Sequence, residues 1–119
     1  MEKNNIIQTK SFDFSLRIIE LYRDMKFQDE YILSKQILRS GTSIGANVEE
    51  AIGAESRKYF KHKLVISRKE ARETRYWLLL LEKSKLVNLE FGEYIKDVNE
   101  LVRILTAIIK SLEDKPICN

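Results

Sequence analysis

Arg57, Lys61, Arg68, Arg72 and Arg75 share one side of a helical segment. At about 100° per residue they fall within an arc of about 60°, and Lys58 and Lys69 widen the stripe on its far side. No acid lies on that line, so i,i+4 partners within the segment cannot neutralise it. A line of cations is what a phosphate backbone requires. Arginine offers it forked hydrogen bonds, and counterions released from the nucleic acid drive binding. The same line can instead be a solvated face, or be paired with acids on another helix or subunit. Aromatic side chains are not interleaved with it, so base stacking has little support. The charge balance of the chain is concentrated here. From Ser56 to Arg75 eight Lys and Arg stand against two acids, Glu70 and Glu73, a local +6 in a chain of net charge +3.

A second group is polar without being uniformly charged. Gln36, Arg39, Ser43, Asn47 and Glu50 fall within about 80° beside an apolar stripe. Lys63, Glu70, Glu73 and Trp77 form a similar line on the flank away from the basic stripe. If the two flanks meet, Arg39 pairs with a carboxylate and Asn47 bridges backbone groups. Polar groups at a core edge must be paired to be tolerated, so this reads as a structural network, within the chain or between subunits, rather than a catalytic site.

Other chemistry finds little support. A di-iron bundle site needs carboxylates and Glu-x-x-His pairs. Glu49, Glu50, Glu70 and Glu73 could supply carboxylates, but His62 is the single histidine and follows no such motif. No metal or cofactor is expected. There is no glycine-rich phosphate loop and no nucleophile elbow. Cys118, the single cysteine, cannot form an intrachain disulfide and has no fixed partner as a catalytic thiol. It fits a reducing compartment. The polar start Met1-Glu2-Lys3-Asn4-Asn5 resembles no signal peptide, and the longest apolar run, Tyr76 to Leu81, is far short of a membrane span. A cytoplasmic protein without membrane contact is expected.

The elements that must carry these residues are helical. Gly and Pro are scarce, which disfavours a many-turned β architecture. Met1–Lys10 lacks a clear period and reads as a loose lead-in. Ser11 is a plausible N-cap for a first helix over about 12–26, with Phe14, Ile18, Leu21, Tyr22 and Met25 as its stripe. Asp29 can cap a second, with Leu33, Ile37, Gly41, Ile44, Val48 and Ile52, ending near Gly53. Gly41 and Gly45 inside that pattern predict close helix packing, with a kink or break as the alternative. Ser56 caps a third over about 56–85, whose seam Phe60, Leu64, Ser67, Ala71, Thr74, Leu78 and Leu81 alternates steps of four and three. Its small central residues would face the glycine-containing part of the second helix. A fourth runs over about 90–113, and Pro116 closes the ordered part. Trp77, Ile66 and Leu80 form a second apolar flank on the third helix, expected to help bury a subunit interface. Four amphipathic segments with short connections predict an all-α, antiparallel up-down-up-down four-helix bundle. The chain reads as one domain, 1–119, ordered over about 11–113.

Two stretches carry a family resemblance. Arg39-Ser40-Gly41-Thr42-Ser43-Ile44-Gly45-Ala46-Asn47-Val48-Glu49-Glu50-Ala51 is similar to the second-helix signature of the four-helix bundle proteins encoded by intervening sequences in bacterial 23S rRNA genes. Glu55-Ser56, Phe60, Lys63-Leu64 and Lys69 to Leu78 resemble that family's third-helix pattern. Ala51 departs from it where many members have glycine, which suggests an unbroken second helix. The resemblance implies a bacterial origin and a ring-like homo-oligomer, a pentamer. It assigns no defined activity, and the ribosomal name of some members reflects where their genes sit. The leading expectation is a non-enzymatic oligomer whose basic stripe binds RNA or another polyanion. The alternatives are a protein-interaction scaffold with the stripe paired against acids and, less favoured, a metal-dependent bundle enzyme.

Overall fold

The computed structural model describes residues 2–113, with side chains from Ile6 onward. Four helices follow one another: α1 (Glu2–Phe27), α2 (Leu33–Ile52), α3 (Arg57–Ser84) and α4 (Gly92–Glu113). Each packs on its neighbour in the chain, α4 closes the square against α1, and the diagonal pairs do not meet. The connections are too short to cross the bundle, so consecutive helices are antiparallel. The result is an up-down-up-down four-helix bundle, with no strand among the described residues.

The core is the set of seams written into the sequence. Phe14, Ile18, Leu21 and Met25 of α1 meet Ile37, Ile44 and Val48 of α2, Leu64, Ala71, Leu78 and Leu81 of α3, and Val98, Leu101, Leu105, Ile108 and Ile109 of α4. Small residues set the spacing around α2. A Cβ added to Gly41 would lie 2.9 Å from two side-chain carbons of Ile18, and one added to Gly45 would lie 3.2 Å from the Ser11 carbonyl oxygen of α1. On the other side of α2, the Ser67 hydroxyl donates to the Ile44 carbonyl at 2.8 Å, and the Thr74 and Ser40 hydroxyls are hydrogen-bonded at 2.8 Å. The small middle of α3 therefore lies at the level of the glycines, as the pattern predicts, but the glycines themselves face α1.

Three local expectations are corrected. Residues 2–10 are not a loose lead-in but the first turns of α1, and Ser11 lies inside the helix rather than capping it. Ile7 and Ser11 extend the buried seam two turns upstream, at the same alternating spacing as Phe14, Ile18, Leu21 and Met25. Ser11 disguises that seam because it is polar. Its hydroxyl is satisfied by the Gln8 carbonyl at 3.2 Å, and its small size admits α2 at Gly45. Asp29 does not cap α2; it sits in the left-handed region at φ 66°. The cap is Glu30, whose carboxylate accepts from the backbone N–H groups of Ile32, Leu33 and Ser34 at 3.1, 3.0 and 2.7 Å. α4 starts at Gly92, two residues later than its period suggests, because Phe91 is buried as part of the connection. Ser56 does cap α3, accepting from Tyr59 N–H at 3.0 Å. Pro116 and Cys118 lie outside the described residues.

Gly41 tests the tight α1/α2 approach. Alanine gains helix propensity of about 1 kcal/mol, but its methyl must displace Ile18, which is β-branched and wholly buried. Overpacking of this kind costs about 1–3 kcal/mol. Gly41→Ala should lower the denaturant midpoint, and Gly41→Leu should lower it much further. An unchanged midpoint in both would show that the approach is not limiting.

Candidate nucleic-acid interface

The basic line of α3 lies along its α4 side. Lys61 pairs with Glu113 at 3.2 Å, Arg68 reaches the Thr106 hydroxyl at 3.4 Å, and Arg75 donates to the Asn99 side-chain oxygen at 3.1 Å. Arg57 and Arg72 are exposed. Three contacts thus recur every seven residues along α3, matched every seven along α4 in the opposite sense. That is the register of two antiparallel helices meeting once every two turns. Of the five cations only Lys61 meets a carboxylate among the described residues; Arg68 and Arg75 are held by neutral oxygens.

The cause is how α4 distributes its charges. Asp97 and Glu100 turn toward α1, where Asp97 bonds Arg17 and Glu100 lies 3.4 Å from Lys10. The Arg17 guanidinium also sits over the Tyr94 ring, 4.7 Å from its centroid. The bases Lys96, Arg103 and Lys110 are exposed. Helical phase places them on the outer flank of α4 next to Asn99 and Thr106. Sequence reasoning missed these three. Their heptad spacing, 96–103–110, was the available signal, but it needs the α3/α4 pairing to acquire meaning.

The second polar group assembles between α2 and α3. Arg39 bonds Glu70 at 3.2 Å and also Glu73, and Glu73 accepts from the Trp77 indole N–H at 3.1 Å. One turn or more away, Lys63 lies 2.7 Å from Glu50. Burial pushes the Glu73 carboxyl up, but the hydrogen bonds from Arg39 and Trp77 and the charge of Arg39 outweigh it, and the group titrates below the ordinary carboxylate range. Ser43 and Asn47 do not join this network across the interface. Each bonds back within α2, Ser43 to the Arg39 carbonyl at 2.7 Å and Asn47 to the Ser43 carbonyl at 2.9 Å. Trp77 is half-buried at the edge of the core, edge-on to the exposed Tyr76 ring. Ile66 is half-buried and Leu80 exposed beside it.

Among the described residues no three His, Cys, Asp or Glu side chains gather where they could hold a metal ion, and His62 is exposed. No described helix is long and apolar enough to cross a membrane.

With a glycine-bearing α2 locked by Arg39 to α3, the chain is a small antiparallel helical-bundle protein. The chain belongs to the family described as 23S rRNA-intervening sequence protein, whose model matches residues 3–107. A solved structure from Bacteroides thetaiotaomicron, described as a protein with unknown function from the S23 ribosomal protein family, is similar over 91% of this chain and 98% of its own. The two are 46% identical, with a TM-score of 0.86. No curated protein matches the chain. The family is not a known enzyme family.

The α2/α3 lock gives a pH expectation. A carboxyl whose folded value is lowered contributes stability above its unfolded value, and that contribution is lost as pH falls through the folded value. For Glu73 the window is below about pH 4.5. Urea unfolding of the native chain and of Glu73→Gln should therefore differ at neutral pH and converge in acid. A difference that is constant down to about pH 3 would show that ionised Glu73 is not what matters.

Proposed function

We propose that this protein binds RNA or another polyanionic nucleic acid through the basic face of α3, as a non-enzymatic, oligomeric helical protein. The observation that carries this reading is the contrast between helix pairs. At two of the other three contacts cations find carboxylates, Lys10 and Arg17 across α1/α4 and Arg39 and Lys63 across α2/α3, and across α1/α2 the Gln8 amide donates to Glu49. Along α3/α4 the cations outnumber the acids, and α4 offers Arg68 and Arg75 neutral oxygens instead. Guanidiniums anchored by one N–H to a neutral group keep their charge and their remaining donors for an incoming phosphate. Intersubunit acids are the competing explanation. The family name reflects where such genes sit, so the reading rests on the charge.

Self-association is the second part of the proposal. Phe12, Leu16 and Ile19 are 63%, 50% and 40% exposed on α1. With Gly45 and Ala46 of α2 they line an apolar groove of about 730 Å³, on the side of the bundle away from the basic face. A contiguous exposed apolar surface of this kind marks an interaction site. The resemblance to the family favours a ring-like pentamer, and the Trp77, Ile66 and Leu80 flank is a second surface available to it.

Binding of structured RNA, followed by fluorescence anisotropy, should weaken steeply with salt. Reversing Arg68, Arg72 and Arg75 to Glu should reduce affinity by about 100-fold or more while helicity is retained. Absent binding, or binding indifferent to the reversal, would overturn the nucleic-acid reading in favour of a scaffold. Light scattering on the native chain should report an oligomer, and Leu16→Glu should dissociate it. A native monomer would sink the assembly proposal.

A further inference from the structure

We infer that the basic field is shaped for a nucleic-acid duplex rather than a single strand, with Lys96, Arg103 and Lys110 of α4 forming a second row of phosphate contacts beside Lys61, Arg68 and Arg75 of α3. The inference rests on the polyanion reading above and adds a ligand class and three residues to it.

The two rows have the same period. Lys61, Arg68 and Arg75 are seven residues apart on α3, and Lys96, Arg103 and Lys110 are seven apart on α4. Seven residues of helix advance about 10.5 Å. The observed pairings of Lys61 with Glu113, Arg68 with Thr106 and Arg75 with Asn99 fix how the rows are offset. Each α4 base lies one helical turn to the N-terminal side of one of those contacts. Arg103 therefore falls at a level between Arg68 and Arg75, beside exposed Arg72, and Lys110 falls between Lys61 and Arg68. The rows are staggered and run along adjacent helices, whose axes pack about 8–10 Å apart.

A single strand presents one line of phosphates and would use one row. Its bases would then need flat partners, and the residues between the rows, Asn99 and Thr106, offer no ring for stacking. A duplex presents two antiparallel phosphate lines across a groove. The B-form minor groove is about 6 Å wide and the A-form major groove is deep and narrow, so in either form two strands come close enough for rows on adjacent helices to reach one each. Neutral hydroxyl and amide groups between the rows suit the open groove between strands, where charge is not needed. Glu100 lies within about one turn of Lys96 and Arg103, but its carboxylate is taken by Lys10 on the α1 side, and Glu113 is paired with Lys61 at the end of the field. Recognition of this type reads backbone spacing and carries no base sequence.

The full-length protein should be titrated with a short RNA duplex, a DNA duplex of the same sequence, and one unpaired strand designed to lack secondary structure, each over a range of salt. At least one duplex should bind about tenfold or more tighter than the strand, and the preferred duplex distinguishes RNA from DNA as the source of the two phosphate lines. Arg103→Gln with Lys110→Gln should reduce the duplex salt slope by about two while leaving the strand's slope unchanged. Both positions are exposed, so the variant should keep its helicity, and the comparison of duplex with strand on the native protein stands without it. A strand bound as tightly as the better duplex, or duplex binding untouched by the double variant, overturns the inference and leaves the α3 reading intact. Binding to none of the three removes both.

Discussion

The closeness of α2 to both of its neighbours is the constraint on which the bundle depends. On one side Gly41 and Gly45 leave no room for a side chain against Ile18 and the Ser11 backbone. On the other, Ser67 and Thr74 hold α3 by hydrogen bonds to the Ile44 carbonyl and the Ser40 hydroxyl. Apolar seams alone permit helices to slide by a heptad with little change in burial. A glycine under an isoleucine and a serine on a carbonyl do not, because each contact is satisfied at one position only. α2 therefore sets the axial register for α1 and α3 together.

From that register the charged surfaces follow. Arg39 meets Glu70 and Glu73 because α2 and α3 cannot slip, and the same fixed α3 presents its opposite flank to α4. What α4 does with its acids then decides the character of that flank. Asp97 and Glu100 serve the α1 side, so apart from Glu113 at its end the α3 side is left with amide, hydroxyl and cation. A solvated basic stripe is ordinary on a helix; a stripe whose neighbouring helix also supplies bases is a field. The exposed apolar groove of α1 and α2 lies elsewhere on the bundle.

Much of the fold was legible because helical period and burial coincide in α2, α3 and α4. Every seam residue from Leu64 to Leu81 on α3 is buried, and Phe60 is packed at its edge. The start of α1 was illegible for a specific reason: Ser11 is a core residue by size and a cap residue by chemistry, and only its neighbours decide which. Glu30 was overlooked as a cap because its carboxylate reaches forward from outside the helix to three N–H groups, while Asp29 has the residue type that capping statistics favour. The Arg39 lock could be anticipated, since its phase and that of Glu70 and Glu73 point the same way. Asn47 could not be placed, because a side-chain amide satisfied within its own helix has the same phase as one reaching across. The bases of α4 gain significance only from a pairing register that no single helix encodes.

The four sides of the bundle are unequal in another respect. Three of them join helices consecutive in the chain, and only α1 with α4 joins distant segments, through bridges such as Arg17 to Asp97, 80 residues apart. That side has the thinnest contact and its polar links are largely charged. Topologies dominated by local pairings fold quickly, since little loop entropy is lost before contacts form. The chain can thus assemble as two helical hairpins whose shared wall, α2 against α3, is the densest in the molecule. The wall between α1 and α4 is then the natural place for the structure to open first, a seam at which the bundle breathes while the register held by α2 stays unbroken.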